Sequence, residues 1–440
     1  MLSTLRQQAA YLQCLDSIKV GTQPASLGLL RSARLPVVAA LCIDLQVPVL
    51  LLTDRADRAS MLFDELRFWL PDFPRLYFPE PTPMFYEKAA WGSLTRRDRL
   101  QTMAVLVNYF KLGSQKPDKP CVVIAPLRAV MTRTLPRRDY IIASKVLKIN
   151  GHANPDTLLR EWARLGYENT EVVVDHGQFS KRGGILDIWT PAEPYPVRLE
   201  FFGEEIDTLR FFDPATQRTV SNIDQIQITP AREFIPDGDL KFSGEDGFVD
   251  EFQIPMIHPL SSTILDYLPP DALILVDSLS NIQSFGEEIE EQALKNRAEV
   301  VREGIIPADF PVPYISWSEV LEMISNRRWM ELLRPNNEDM GSLGSKFSPG
   351  MRFAGQISHF VNYLEACCRE GDEMVIVTRQ LSRLKEIWEE QSDACAHSGN
   401  LKFIESALGE GWDLELDSGK TLHCITDGEI FGWERPQPRA

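Results

Sequence analysis

The sequence predicts an α/β protein: an open, mostly parallel sheet, a small α+β unit inserted into it, and a separate smaller α/β unit after it. Three observations carry this expectation. Before residue 135, short continuous apolar runs alternate with amphipathic segments, as when buried parallel strands are joined by helices. In mid-chain, the runs Ile185–Trp189, Val197–Phe202 and Ile206–Phe212 follow one another across turns rich in Pro and Gly, as antiparallel strands do. From Met351 the alternation of strand and helix returns on a smaller scale. At 440 residues the chain exceeds one ordinary domain.

Taken in order, an N-terminal helix ends near Gly21, Val49–Thr53 is a buried strand, and Arg55–Leu70 places Ala59, Leu62, Phe63, Leu66 and Leu70 on one helical face. Strands at Leu76–Phe78 and Cys121–Ala125 flank a helix from Leu94 to Phe110. Asn154 caps a helix that begins at Pro155 and ends at Gly166. Val172–Val174 reads as a further strand. Asp271–Asp277 is a strand followed by an acidic helix from Ser280 to about Arg302, and Pro307–Trp317 is extended. The segment 334–350 is rich in Asn, Gly and Ser and reads as a linker. Strands at Met374–Thr378, Leu401–Ile404 and Thr421–Thr426 and a helix striped by Phe353, Ile357, Phe360 and Leu364 complete the last unit. The expected units are 1–135 with 231–333, the inserted 136–230, and 351–440.

Composition excludes several classes. No apolar run is long enough to span a bilayer and no signal peptide opens the chain, so a cytoplasmic location is expected. The seven cysteines form no C-x-x-C pair and the six histidines no zinc spacing; no metal site is expected. Cys367 and His359 share one apolar-periodic helix and read as packing, not as nucleophile and base. Net charge is −17 from 46 basic and 63 acidic residues, which repels duplex DNA unless basic residues are concentrated. The densest basic cluster, Arg96-Arg97-Asp98-Arg99, contains its own carboxylate and reads as a solvated helix face. Protein partners are favoured.

The middle strand of the central stretch is the most informative. Alternation puts Val197, Leu199 and Phe201 on one face and Arg198, Glu200 and Phe202 on the other. A large aromatic beside an Arg on a charged face has the make-up of an interface hot spot; a covering helix of the same chain is the alternative. RGGILDI, VRLEFFGEEID and FFDPATQR, within the forty residues from Phe179 to Arg218, resemble the second domain of two bacterial repair families. These are UvrB, the damage-verifying helicase subunit of the excinuclease, and the transcription-repair coupling factor (Mfd). In both, this domain docks UvrA. The resemblance therefore implies a UvrA-binding face at Arg182, Arg198 and Phe202.

It also implies that the first unit is a degenerate RecA-like (P-loop-type) module. The segment equivalent to GxxxxGK[ST] is Gly28 to Leu35, GLLRSARL. Only the first glycine remains. Ala33 stands at the second glycine, Arg34 at the lysine and Leu35 at the hydroxyl that would hold magnesium. No acidic residue is identified as a metal ligand at a strand end. UvrB keeps a working P-loop and a long DNA-clamping hairpin, and the region after Phe78 is short, so the coupling factor is the nearer resemblance. It implies transcription-coupled nucleotide-excision repair: recruitment of UvrA to RNA polymerase stalled at DNA damage. No catalytic residue and no cofactor are expected in this chain. ATP, magnesium, DNA and RNA polymerase would be handled by polymerase-binding and translocase domains following Ala440. The alternative is a divergent UvrB-like repair helicase or ATPase subunit.

Overall fold

The computed structural model describes residues 1–85, 89, 91–110, 119–235, 251–333, 343–391 and 400–432. A six-stranded parallel sheet dominates, with strands in the order Ser26–Leu29, Arg328–Leu333, Leu273–Val276, Val49–Thr53, Val122–Pro126 and Arg75–Tyr77. Its central strands are buried at every position, as expected of parallel strands covered on both faces. Helices Arg34–Leu45 and Ala56–Trp69 contribute buried side chains to one core with Leu51, Ile124 and Leu275; the helix Ser93–Val107 contributes to the other, with Leu50, Val123 and Ile274. Two of the six strands, Ser26–Leu29 and Arg328–Leu333, escape the sequence reading. They pair with each other, some three hundred residues apart in the chain.

The inserted unit is a second six-stranded sheet, ordered Thr219–Asn222, Glu205–Phe212, Val197–Phe202, Ile185–Ile188, Gln178–Arg182 and Glu168–Asn169. All its pairings are antiparallel except the last. The three expected strands are present. Val172–Val174 is not a strand: Val173 is buried against Trp189 and Phe212 from a loop, so its apolar character reflects side-chain burial, not strand pairing. The helix Pro155–Arg164 begins as expected, with Asn154 Oδ1 accepting the Thr157 N–H.

A third sheet, Phe347–Pro349, Trp412–Glu415, Thr421–Thr426, Glu373–Thr378 and Leu401–Glu405, is mixed. Phe347–Pro349, within the expected linker, is one of its strands; residues 334–342 lie outside the described residues. This unit is not set apart from the first. Trp412 packs in one core with Trp69, their rings 6.4 Å apart, and Asp417 N–H donates to Gln8 Oε1 at 2.8 Å.

Candidate functional site

Two tight turns position the charged face of the inserted sheet. Pairing of Arg182 with Ile185 leaves Gly183-Gly184 as one two-residue turn, and pairing of Phe202 with Glu205 leaves Gly203-Glu204 as another. Gly183 and Gly203 take φ of +62° and +66°, which two-residue hairpins need and side-chain-bearing residues resist. Both turns lie at the same end of the sheet. They bring Arg182 and Phe202 to that end.

Phe202 stands 83% exposed there, while Val197 and Leu199 on the opposite face are buried and Phe201 packs against the core. The alternation expected from the sequence holds, and no helix of the described residues covers Phe202. Arg182 ends the strand Gln178–Arg182, which the sequence reading did not identify.

The two arginines converge on one buried carboxylate. Asp187, directly across from Arg198 in register, has a side chain 1% exposed. Arg198 Nε donates to Asp187 Oδ1 at 2.7 Å and its Nη2 to Oδ2 at 2.8 Å. Arg182 Nη2 also donates to Oδ2, at 2.7 Å. Arg198 further donates to Gln217 Oε1 at 3.0 Å, and its guanidinium lies 4.4 Å over the Phe212 ring. The hydrogen bonds to Asp187 raise the pKa of Arg198 above its ordinary value, against the opposing effect of burial. Glu200 pairs with Arg210, not with Arg198.

Arg198 is thus a brace whose side chain is only 13% exposed, while Arg182 remains 48% exposed. Expected on the exposed, partner-binding face, Arg198 is instead largely buried and tied into the sheet. Asp187 was overlooked as a site residue. Its signal was an acid in the apolar run ILDI, on the same face as Arg198.

In the parallel sheet, Gly28 lies within the strand Ser26–Leu29 with φ of +66°. The turn at Gly344 presses on it: a Cβ there would come within 2.5 Å of the Gly28 carbonyl oxygen. Ala33, Arg34 and Leu35 are all buried. Arg34 Nη1 donates to Asp277 Oδ1 at 2.6 Å, and Arg58 Nε donates to Oδ2 at 2.9 Å. Burial pushes the Asp277 pKa up, but the two arginines outweigh it and hold the carboxyl below its ordinary value.

Asp277 follows the strand Leu273–Val276 directly. The sequence reading ended a strand on this acid but did not single it out; the signal was LILVD, four apolar residues and an aspartate. Here that acid is ion-paired to two arginines.

The basic cluster also departs from expectation. Arg99 is fully buried, paired through two nitrogens with Glu233 and stacked on Phe78; it is a core ion pair, not part of a solvated face. Cys367 is buried as expected, whereas His359 on the same helix is exposed.

Known proteins resemble this chain in part and along most of its length. Residues 146–234 match the family model of the UvrB interaction domain. The chain is 31% identical to the transcription-repair-coupling factor of Myxococcus xanthus over 233 residues, 51% of this chain and 19% of that protein. It is 27% identical over 467 residues to that of Bacillus subtilis, with 92% of this chain and 38% of the relative covered. With the Staphylococcus aureus (strain MRSA252) factor identity is 24% over 494 residues, covering 100% of this chain and 41% of the relative. The chain spans well under half the length of these curated relatives. It is a relative of the transcription-repair-coupling factors, consistent with an N-terminal portion of one, and it carries the match to the UvrB interaction domain in the sheet that displays Phe202.

Proposed function

We propose that this chain acts in transcription-coupled nucleotide-excision repair as the part of a coupling factor that docks UvrA. The observation that carries the reading is a coincidence. The residues matching the UvrB interaction domain, 146–234, include the face on which Phe202 is 83% exposed and Arg182 is half-exposed. An exposed aromatic that shares a sheet face with a half-exposed guanidinium has the make-up of a binding hot spot. Arg198 supports that face from beneath through Asp187.

The parallel sheet is read as a degenerate RecA-like module, 1–135 with 231–333, that performs no hydrolysis. Leu35 offers no hydroxyl for magnesium, and Arg34 is engaged by Asp277. Phosphoryl transfer depends on such charge placement. On this reading the chain itself uses neither nucleotide nor magnesium. ATP, magnesium, DNA and RNA polymerase belong to portions of the coupling factor outside these residues, where the translocase lies. The location is cytoplasmic; among the described residues no helix is long and apolar enough to cross a membrane.

Two measurements test this. Purified chain and purified UvrA should form a saturable complex in calorimetry; absence of binding overturns the docking reading. A phosphate-release assay with magnesium, with and without DNA, should show no turnover by this chain. Turnover that co-purifies with it and is lost in Arg34→Ala overturns the non-enzymatic reading.

A further inference from the structure

The last sheet gathers a thiol, a carboxylate and an imidazole that the docking function does not use. Cys367 is in the final turns of the helix Ile357–Glu370, Asp372 lies between that helix and the strand Glu373–Thr378, and His423 is on the adjacent strand Thr421–Thr426. Met374 and His423 are paired in register, which draws the helix end onto the histidine. All three residues are more than nine-tenths buried. One potential ligand atom from each lies within 4.8 Å of the others.

His423 Nε2 is buried, makes no well-aligned hydrogen bond, and lies 3.5 Å from Asp372 Oδ2. A buried polar atom left in this way is costly and calls for a better partner. The remaining polar atoms are held as a ligand set would be. Asp372 Oδ1 accepts the Thr421 N–H at 2.7 Å, leaving Oδ2 directed at the imidazole. His423 Nδ1 lies 2.7 Å from Asp413 Oδ1, with the Tyr363 hydroxyl at 3.2 Å. With Nδ1 donating a proton to Asp413, an Nε2 that gives up its own proton on binding presents its lone pair inward. This carboxylate–histidine arrangement orients metal-binding imidazoles.

We propose that Cys367, Asp372 and His423 bind a divalent transition-metal ion, zinc by the chemistry of the set, as a clasp between the helix end and the sheet. Thiolate sulfur, imidazole nitrogen and carboxylate oxygen together suit zinc. At zinc bond lengths of about 2.0–2.3 Å, ligand atoms of a tetrahedral ion stand roughly 3.3–3.8 Å apart. The Nε2–Oδ2 separation, 3.5 Å, already has that value, and the other separations, all within 4.8 Å, need to contract by no more than about 1 Å. The fourth position is left for water. Binding releases the thiol proton and any proton on Nε2.

The test uses the whole chain, stripped by chelator. Zinc is titrated against a chromogenic competitor, and cobalt(II) is added separately as a spectroscopic probe. Expected are one bound equivalent, a thiolate-to-cobalt charge-transfer band and a higher melting temperature with zinc. Cys367→Ser should abolish the band and lower zinc affinity at least 100-fold, while Cys368→Ser, altering the neighbouring half-buried thiol, should change neither. Asp413→Asn should weaken binding about 10–100-fold without removing it, as loss of a partner behind a ligand does. Should Cys367→Ser fail to fold, the wild-type band and zinc-dependent melting shift decide alone. An unaltered aqueous cobalt spectrum, with the same melting temperature with and without zinc, overturns the proposal and leaves an imidazole held between two carboxylates.

Discussion

Phe202→Ala separates binding from stability most cleanly. With 83% of its surface exposed, Phe202 contributes little to the folded core. Covered by a partner, an aromatic ring of this kind removes roughly 150–200 Å² from water, worth about 4 kcal/mol at ~25 cal/mol per Å². Immobilising side chains at the interface takes back on the order of 1 kcal/mol. Truncation should therefore weaken UvrA binding by about 2–3 kcal/mol, a roughly 30- to 150-fold rise in Kd. The melting temperature should stay within a degree or two of wild type, because exposed substitutions away from structural features change stability by about ±0.5 kcal/mol or less. Calorimetric affinity and thermal melting on the same preparation measure both. Val197→Ala is the control: Val197 is fully buried, so this change should lower the melting temperature and leave affinity per folded molecule intact. A Kd within threefold of wild type for Phe202→Ala refutes the docking face. A fall in melting temperature equal to that of Val197→Ala refutes the claim that Phe202 stands free of the core.

Two further substitutions probe the buried charges. Asp187→Ala should destabilise the chain by about 3–5 kcal/mol in urea unfolding, since it leaves Arg198 buried without its carboxylate; a loss under 1 kcal/mol would show that Gln217 and the Phe212 ring suffice. Glu251 is 3% exposed with Oε1 lacking a hydrogen bond and 4.0 Å from Arg96. Burial, partly offset by Arg96 and Arg232, raises its pKa from 4.5 to about 7. A raised carboxyl pKa means that the folded state holds its proton more tightly than the unfolded state. The associated stability is complete below about pH 4.5 and is lost as pH rises through 7. Glu251→Gln should therefore match wild type near pH 4.5 and exceed it above pH 7, by on the order of 3 kcal/mol; a pH-independent difference in melting temperature would contradict this assignment.

The inserted sheet was legible because its strands are local. Ile185–Ile188, Val197–Phe202 and Glu205–Phe212 are neighbours in sequence and in space, and period-two alternation with glycine turns specifies both pairing and face. The outer strands of the parallel sheet have no such local partner. Ser26–Leu29 is stabilised by Arg328–Leu333, and a four-residue run has no periodicity strong enough to announce a partner so distant in the chain. Val172–Val174 failed in the opposite sense: apolar character was present, but its use was a single buried Val173 against Trp189 and Phe212.

The same distinction governs the sites. The proposed loss of a phosphate-binding loop could be read from the sequence, because such a loop needs particular atoms at particular spacings, and Ala33, Arg34 and Leu35 lack them. What the structure holds at Arg34 instead is a long-range fact. Arg34 meets Asp277 across 243 positions, and Arg58 meets it across 219. A guanidinium in place of the lysine, read alone, leaves residual anion binding open. The ion pair closes much of that opening: an incoming phosphate would have to displace Asp277 from a buried bidentate contact with Arg58 and a bond to Arg34, leaving a carboxylate desolvated beside a like charge. On the proposed reading the parallel sheet serves as scaffold, with Asp277 held by Arg34 and Arg58, while the inserted sheet carries the exposed face proposed to dock UvrA.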